Sequence, residues 1–260
     1  MFNSYEFSFD GESSSMYGLM KYDIDGRGQG DVSFGNTASI MEVRTNRRVQ
    51  PIHLGVSYNK PLQFKLVFGS EQPLDRFDLE AISLWLTGHQ DYKWLSVYQP
   101  DMEHLQFKCI VRQLTPISVG WLPYAFEADI ICDCPYAYGL PREEEYIING
   151  ESDIIIRNDS SAREYIWPGI HFIANNELTD LSIVNASDGN REFLLEDIPS
   201  SAEVSIDNTN GIIRDLTGEN NLYDGFNMNF FRLVQGDNVI HVSGHGVLTL
   251  SWRTLHNVAG

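Results

Sequence analysis

Through much of this 260-residue chain apolar residues recur at every second position, the period of a strand with one face in a core. Tyr5, Phe7 and Phe9 alternate with Glu6, Ser8 and Asp10, and Gly11 ends the run. A second short strand is predicted at Leu19 to Tyr22. Another runs from Ser39 to Asn46 and is interrupted by a basic tip of Arg44, Arg47 and Arg48. Leu62, Phe64, Leu66 and Phe68 alternate with Gln63, Lys65 and Val67. Tyr92 to Tyr98 and His104 to Leu114 read as a hairpin across the turn QPDME, and Phe126, Ala128 and Ile130 against Glu127 and Asp129 supply one more strand.

One stretch breaks to the helical period. In PLDRFDLEAISLWLTGHQ, Asp75 stands at an N-cap position, Leu74 and Leu79 form a hydrophobic staple, and Gly88 offers a stop, predicting a helix near residues 75–89. Arg76, Glu80, Ser83 and Thr87 make one narrow polar stripe. The remaining circumference is apolar, so sheet is expected to cover the helix on most sides, with Phe77, Leu84 and Trp85 as core anchors.

The composition changes near PYAYGLPREEEYIINGES. All five lysines and all three cysteines precede residue 140, whereas fourteen of the eighteen asparagines follow it. The first 140 residues carry 11 basic and 17 acidic residues, and the rest carry 7 and 19. A domain boundary is placed there, giving domains at 1–138 and 139–260, with the acidic run Glu143 to Glu145 read as a solvated linker face. The second part shows no convincing helix. Its strands are expected at Asp153 to Arg157, Ile170 to Ala174, Leu181 to Asn185, Glu192 to Glu196, Glu203 to Ile206, Gly211 to Arg214, Phe230 to Leu233, Asn238 to Val242 and Gly246 to Trp252. Turns such as VSGHG separate several of them, and the density points to an antiparallel sandwich, a jelly roll. The fold class is mainly β: a sandwich or barrel-like first domain with one helix, then a second sandwich.

Charge narrows the function. A formal net charge of −18 repels phosphate and anionic lipid, so nucleic acid is a poor candidate for a bound partner. Three cysteines, Cys109, Cys132 and Cys134, are an odd number in a chain long enough to fold without disulfides, which favours a reducing compartment. No apolar run reaches membrane-spanning length, and MFNSYEFSFDGESSS has neither the basic start nor the apolar segment of a secretory signal.

Catalytic chemistry is hard to find. Gly26, Gly28 and Gly30 have the wrong spacing for a nucleotide loop, with no helix following, and a calcium loop fails at Arg27 and Phe34. Cys132 and Cys134 form Cys-x-Cys without a second ligand pair, while His241 and His245 read as surface or turn residues. No catalytic, metal or cofactor-binding residue is assigned, and no cofactor is expected. Tyr165, Trp167, Tyr223, Phe226, Phe230 and Trp252 are a candidate sugar-stacking platform, although packing between sheets is the favoured reading for most of them.

The order of elements resembles a known family. FSFDGESSSMYGL, a glycine-rich segment, an RR-containing strand pair and PLDRFDLEAISLWLTGHQDYKWLSVYQPDMEHLQFKCIVR are similar to the N-terminal domain of the distal tail proteins of long-tailed bacteriophages. NGIIRDLTGENNLYDGFNMNFFRLVQGDNVIHVSG running into LTLSWR is similar to that family's galectin-like C-terminal domain. The resemblance implies a structural protein, not an enzyme. It implies a hexameric ring at the distal end of the tail, assembled in the host cytoplasm without a membrane. That ring joins the tail tube protein above to the tail-associated hub or fibre protein below and, in some phages, carries receptor-binding proteins, while DNA passes through its channel unbound. Candidate ring contacts are the N-terminal arm, at Phe7, Phe9, Gly11 and Gly18, and the basic tip at Arg47 and Arg48. The alternative function is a glycan-binding module that attaches the virion to cell-wall carbohydrate.

Overall fold

Among the described residues strands account for 56% and helix for 10%, with a single α-helix, so the alternating pattern does build a mainly β molecule of antiparallel sheets. The computed structural model describes residues 6–21, 39–57, 60–98, 102–175, 177–218 and 220–258. Tyr5, Tyr22, the glycine-rich segment with Gly26, Arg27, Gly28, Gly30 and Phe34, and the first three residues of the QPDME turn lie outside them. The chain divides into two compact units, Met1–Gly139 with His256–Gly260, and Leu140–Leu255.

In the first unit the strands are β1 (Phe7–Phe9), β2 (Glu12–Ser13), β3 (Met20–Lys21), β4 (Ser39–Val43), β5 (Ile52–Ser57), β6 (Gln63–Gly69), β7 (Lys93–Val97), β8 (Leu105–Val119), β9 (Leu122–Cys132) and β10 (Ala137–Gly139). The main sheet runs β2-β1-β7-β8-β9-β6-β3. The expected hairpin forms, with Lys93, Trp94 and Leu95 opposite Cys109, Lys108 and Phe107. β8 then continues through Pro116 and turns at Gly120 and Trp121 into β9. β4 and β5 pair only with each other among the described residues, as a separate two-stranded ribbon.

The helix α1 spans Arg76–Thr87. Asp75 accepts hydrogen bonds from the Phe77 and Asp78 amides, and the Asp78 carboxylate accepts one from the Asp75 amide, a reciprocal cap that satisfies otherwise orphaned donors. Ile82, Trp85 and Leu86 are the buried side chains of this helix. Trp85 sits at the centre of an aromatic cluster: its ring stacks on Tyr17 with centroids 4.3 Å apart and on Phe7 at 5.6 Å, and its indole N–H donates to the Phe9 carbonyl at 3.1 Å. Phe7 and Phe9 both point into this core, as alternate positions of one strand do, and both rings meet Trp85 of the helix.

The second unit is built on one seven-stranded antiparallel sheet. Its strands are β11 (Arg142–Asn158), β12 (Gly169–Ala174), β13 (Thr179–Asn185), β14 (Arg191–Ile198), β15 (Glu203–Asp207), β16 (Ile212–Asp215) and β17 (Gly236–Trp252), in the order β14-β13-β17-β12-β15-β16 with β11 also on β17. β11 and β17 pair along seventeen positions. The first half of β17 borders β13 and the second half borders β12, so this long ribbon ties the two halves of the sheet together. Ile148, Ile156, Phe172, Leu181, Phe193, Val204, Ile240 and Leu250 belong to the core it encloses.

Three expectations change here. VSGHG is not a turn: Gly244, at φ 154 and opposite Gly150, lies within a continuous strand where an added Cβ would sit 2.9 Å from the Asp180 carbonyl. Glu143 to Glu145 are not a linker; they are exposed positions of β11 paired with Ser251, Leu250 and Thr249. Phe230 to Leu233 is no strand, because Asn208 and Asn185 bind that stretch as a loop. The Asn208 side-chain oxygen Oδ1 accepts from the Phe231 backbone amide at 3.0 Å, and the Asn185 side-chain Nδ2 donates to the Arg232 backbone carbonyl at 3.0 Å.

Candidate functional site

The described residues contain no group of three or more His, Cys, Asp or Glu side chains placed to hold a metal. Cys109 and Cys132 face each other across β8 and β9, and burial pushes both thiols up, Cys109 to about 12, so neither forms a thiolate near neutral pH. Cys134 donates to the Tyr136 carbonyl. His241 and His245 are exposed on β17, against Asp153 and Asn149 of β11. These are cross-strand surface pairs of the kind that stabilise a sheet.

The aromatic platform of the second unit mostly dissolves into packing. Trp252 and Phe226 are buried, Phe230 packs against Phe226 at 4.8 Å, and the Tyr223 hydroxyl accepts from the Ile213 amide and donates to the Gly211 carbonyl. Tyr165 and Trp167 flank Arg232, whose guanidinium lies 3.7 Å from the Tyr165 ring centre and forks onto Asp188 at 2.7 and 3.2 Å. One face of Tyr165 is thereby occupied.

What remains is exposed apolar surface. On the ribbon, Ile40, Met41, Val43, Ile52, Leu54 and Val56 are all exposed. Ile40 stands opposite Val56 and Val43 opposite Ile52, so the pleat directs apolar side chains to both sides. Arg44 pairs with Glu42 at 2.8 Å, while the side chains of Arg47 and Arg48 have no partner among the described residues. The β8–β9 hairpin ends similarly. Gly120 and Trp121 both adopt positive φ, the two-residue turn that matches strand twist, and Trp121 is 98% exposed at a conformation bulky residues avoid.

The helix requires a correction. Phe77 and Leu84 are not core: they are 78% and 71% exposed, and with Ala81 they form an apolar stripe on the outer side of α1. Trp85, at 6%, is core as expected. The helix carries two apolar faces, and its own sheet covers only one. Phe7 and Phe9 need the opposite correction. Offered as ring contacts, they are 6% and 1% exposed, so their side chains serve the unit's own core. Gly11 and Gly18 hold turns at φ 84 and 63, and Gly18 caps the 3₁₀ turn Ser14–Tyr17.

Residues 2–134 match the family model described as a phage tail protein N-terminal domain. The chain belongs to this family of phage tail proteins. Residues 136–252 match the companion model, described as a phage tail C-terminal domain. In fold, this tail protein is similar to the Dit protein of phage SPP1, described as a paradigm of the hub adsorption apparatus in phages infecting Gram-positive bacteria. The TM-score is 0.68 at 9% identity, over 96% of this chain and 98% of that one. A chain of the phage p2 baseplate in its activated conformation aligns at a TM-score of 0.55 and 10% identity, over 95% of this chain and 97% of that one. At such identities the likeness is one of fold. Curated proteins give no sequence match. No helix of the described tail protein is long and apolar enough to cross a membrane.

Proposed function

We propose that this tail protein is a structural distal tail protein. It closes into a homo-oligomeric, hexameric ring at the end of the tail tube and joins the tube protein to the tail-associated hub or fibre protein. The observation that carries this reading is the β4–β5 ribbon. A two-stranded ribbon is marginal in water by itself, and this one holds its apolar side chains out on both faces. Such an element suits a partner that covers it. A cyclic ring uses heterologous contacts, so each subunit offers two different patches, and the ribbon with its Arg47 and Arg48 tip supplies one of them. The fold shared with a hub protein and a baseplate chain supports the location in the virion.

The role is structural, with the acidic surface leaving DNA to pass the channel without the clustered Lys and Arg that would grip phosphates. The ring is also a candidate docking platform for receptor-binding proteins, and assembly takes place in the host cytoplasm in this reading. Solution mass of the full chain tests it. A hexamer is expected, alone or on mixing with the tube protein; a strict monomer at every concentration and with every tail partner would count against the ring.

A further inference from the structure

The ring reading leaves open what the ribbon packs on. We infer that the β4–β5 ribbon of one copy lies across the outer face of α1 in the next copy, with the ribbon tip over the first two turns of the helix. The inference rests on the ring reading and names the second of its two patches.

Two observations pick out this pairing. The first is shape and polarity. The outer stripe of α1, Phe77, Ala81 and Leu84, is the largest apolar surface on the helix that the unit's own sheet leaves open, and it lies along one straight row at spacings of four and three. An extended ribbon with apolar side chains on both faces can lay one face along such a row and keep the other for the body of the neighbouring subunit. The second is charge. Between Ser39 and Ser57 the chain carries Arg44, Arg47 and Arg48 against Glu42 alone, whereas between Ser70 and Gly88 it carries Glu71, Asp75, Asp78 and Glu80 against Arg76 alone.

The unused charges make the match specific. Asp75 and Asp78 are committed to capping the helix, and Arg44 is committed to Glu42. That leaves Arg47 and Arg48 on the ribbon, Glu71 in the segment leading into α1 and Glu80 on the helix itself, all exposed and without a hydrogen-bond or ion-pair partner among the described residues. Arg47 and Arg48 on the ribbon side, and Glu71 and Glu80 against Arg76 alone on the helix side, give the two uncovered apolar patches opposite net charge. Complementary patches of that kind steer and register a heterologous contact.

The test uses variants of the full chain with one introduced cysteine each, in a Cys134→Ser background because Cys134 is only partly buried. Val49→Cys lies at the ribbon tip, and Phe77→Cys lies on the first turn of α1; both native side chains are exposed, while Cys109 and Cys132 are buried. Mixed in equal amounts and treated with a short bismaleimide, the two variants should give a covalent dimer that neither gives alone. In parallel, Arg47→Glu with Arg48→Glu should abolish ring formation, and adding Glu71→Arg with Glu80→Arg should restore it. Rings that form by mass without the mixed cross-link, or whose charge reversal is not rescued, would overturn this pairing and leave the ring reading standing. A wild-type chain that stays monomeric with all tail partners would overturn both.

Discussion

Leu84 and Trp85 are neighbours in sequence with opposite fates, and they separate folding from assembly. Trp85 stacks between Tyr17 and Phe7, so Trp85→Ala should lower unfolding free energy by about 3–5 kcal/mol in urea titration, the usual cost of emptying a large aromatic site. Leu84→Ala removes a side chain that touches water in the single chain. Its monomer stability should stay within about 0.5 kcal/mol of wild type, as for surface substitutions in general. Equal losses in both variants would place Leu84 in the core after all. Sequence periodicity could not separate the two, because an apolar face reads the same whether its own sheet or another molecule covers it. The alternation in β1 was legible for the same residues that were misread as contacts: Phe7 and Phe9 point inward because every second position of a strand does.

At the scale of elements, strands and helix were largely legible and their joints were not. The cap at Asp75 and the β7–β8 hairpin follow from local chemistry that sequence carries openly. The continuity of β17 through Gly244 does not, since a glycine that permits close approach to the Asp180 carbonyl looks like a turn glycine until the partner strand is known. The surplus of asparagine in the second half now has a cause. Asn158, Asn185, Asn208 and Asn238 are buried, and their side chains hold loops: Asn238 alone accepts from the Val234 amide and donates to the Val234 and Gly236 carbonyls. Asparagine does this because one side chain offers both a donor and an acceptor. The ribbon carries an element-scale prediction. In a monomeric preparation the amides of Ile40 to Val43 and Ile52 to Val56 should exchange with solvent deuterium far faster than those of β8 and β17. In the assembled form they should become protected. Equal protection in both states would mean that the ribbon has no partner to gain.

For the whole molecule, acidity sets both a stability window and an assembly constraint. Burial by itself would raise the Asp207 carboxyl, but hydrogen bonds from the Asn210 side chain and from the backbone amides of Asn210 and Thr209 more than offset it and hold it below its ordinary value. Asp215 is lowered in the same way, by Thr217, Asn220 and the Gly218 amide. A depressed folded pKa contributes stability that is present above the unfolded value, about 3.9, and disappears as pH falls through the folded one. The second unit should therefore lose resistance to urea as pH falls below about 5 and through the depressed folded values, with Asp215→Asn flattening part of that dependence. An unchanged profile in the variant would show that other carboxylates carry the effect. The assembly constraint is the more telling one. A chain with net charge −18 repels its own copies, so association needs apolar surface and local charge pairing strong enough to overcome that field. The uncovered ribbon and the uncovered face of α1 are where the molecule provides both. Class averages of the purified full-length chain by electron microscopy test this most directly: six-fold closed rings are expected, lost when Ile40 and Leu54 are replaced by lysine, and rings that persist in that variant, or single particles in the wild type, would contradict it.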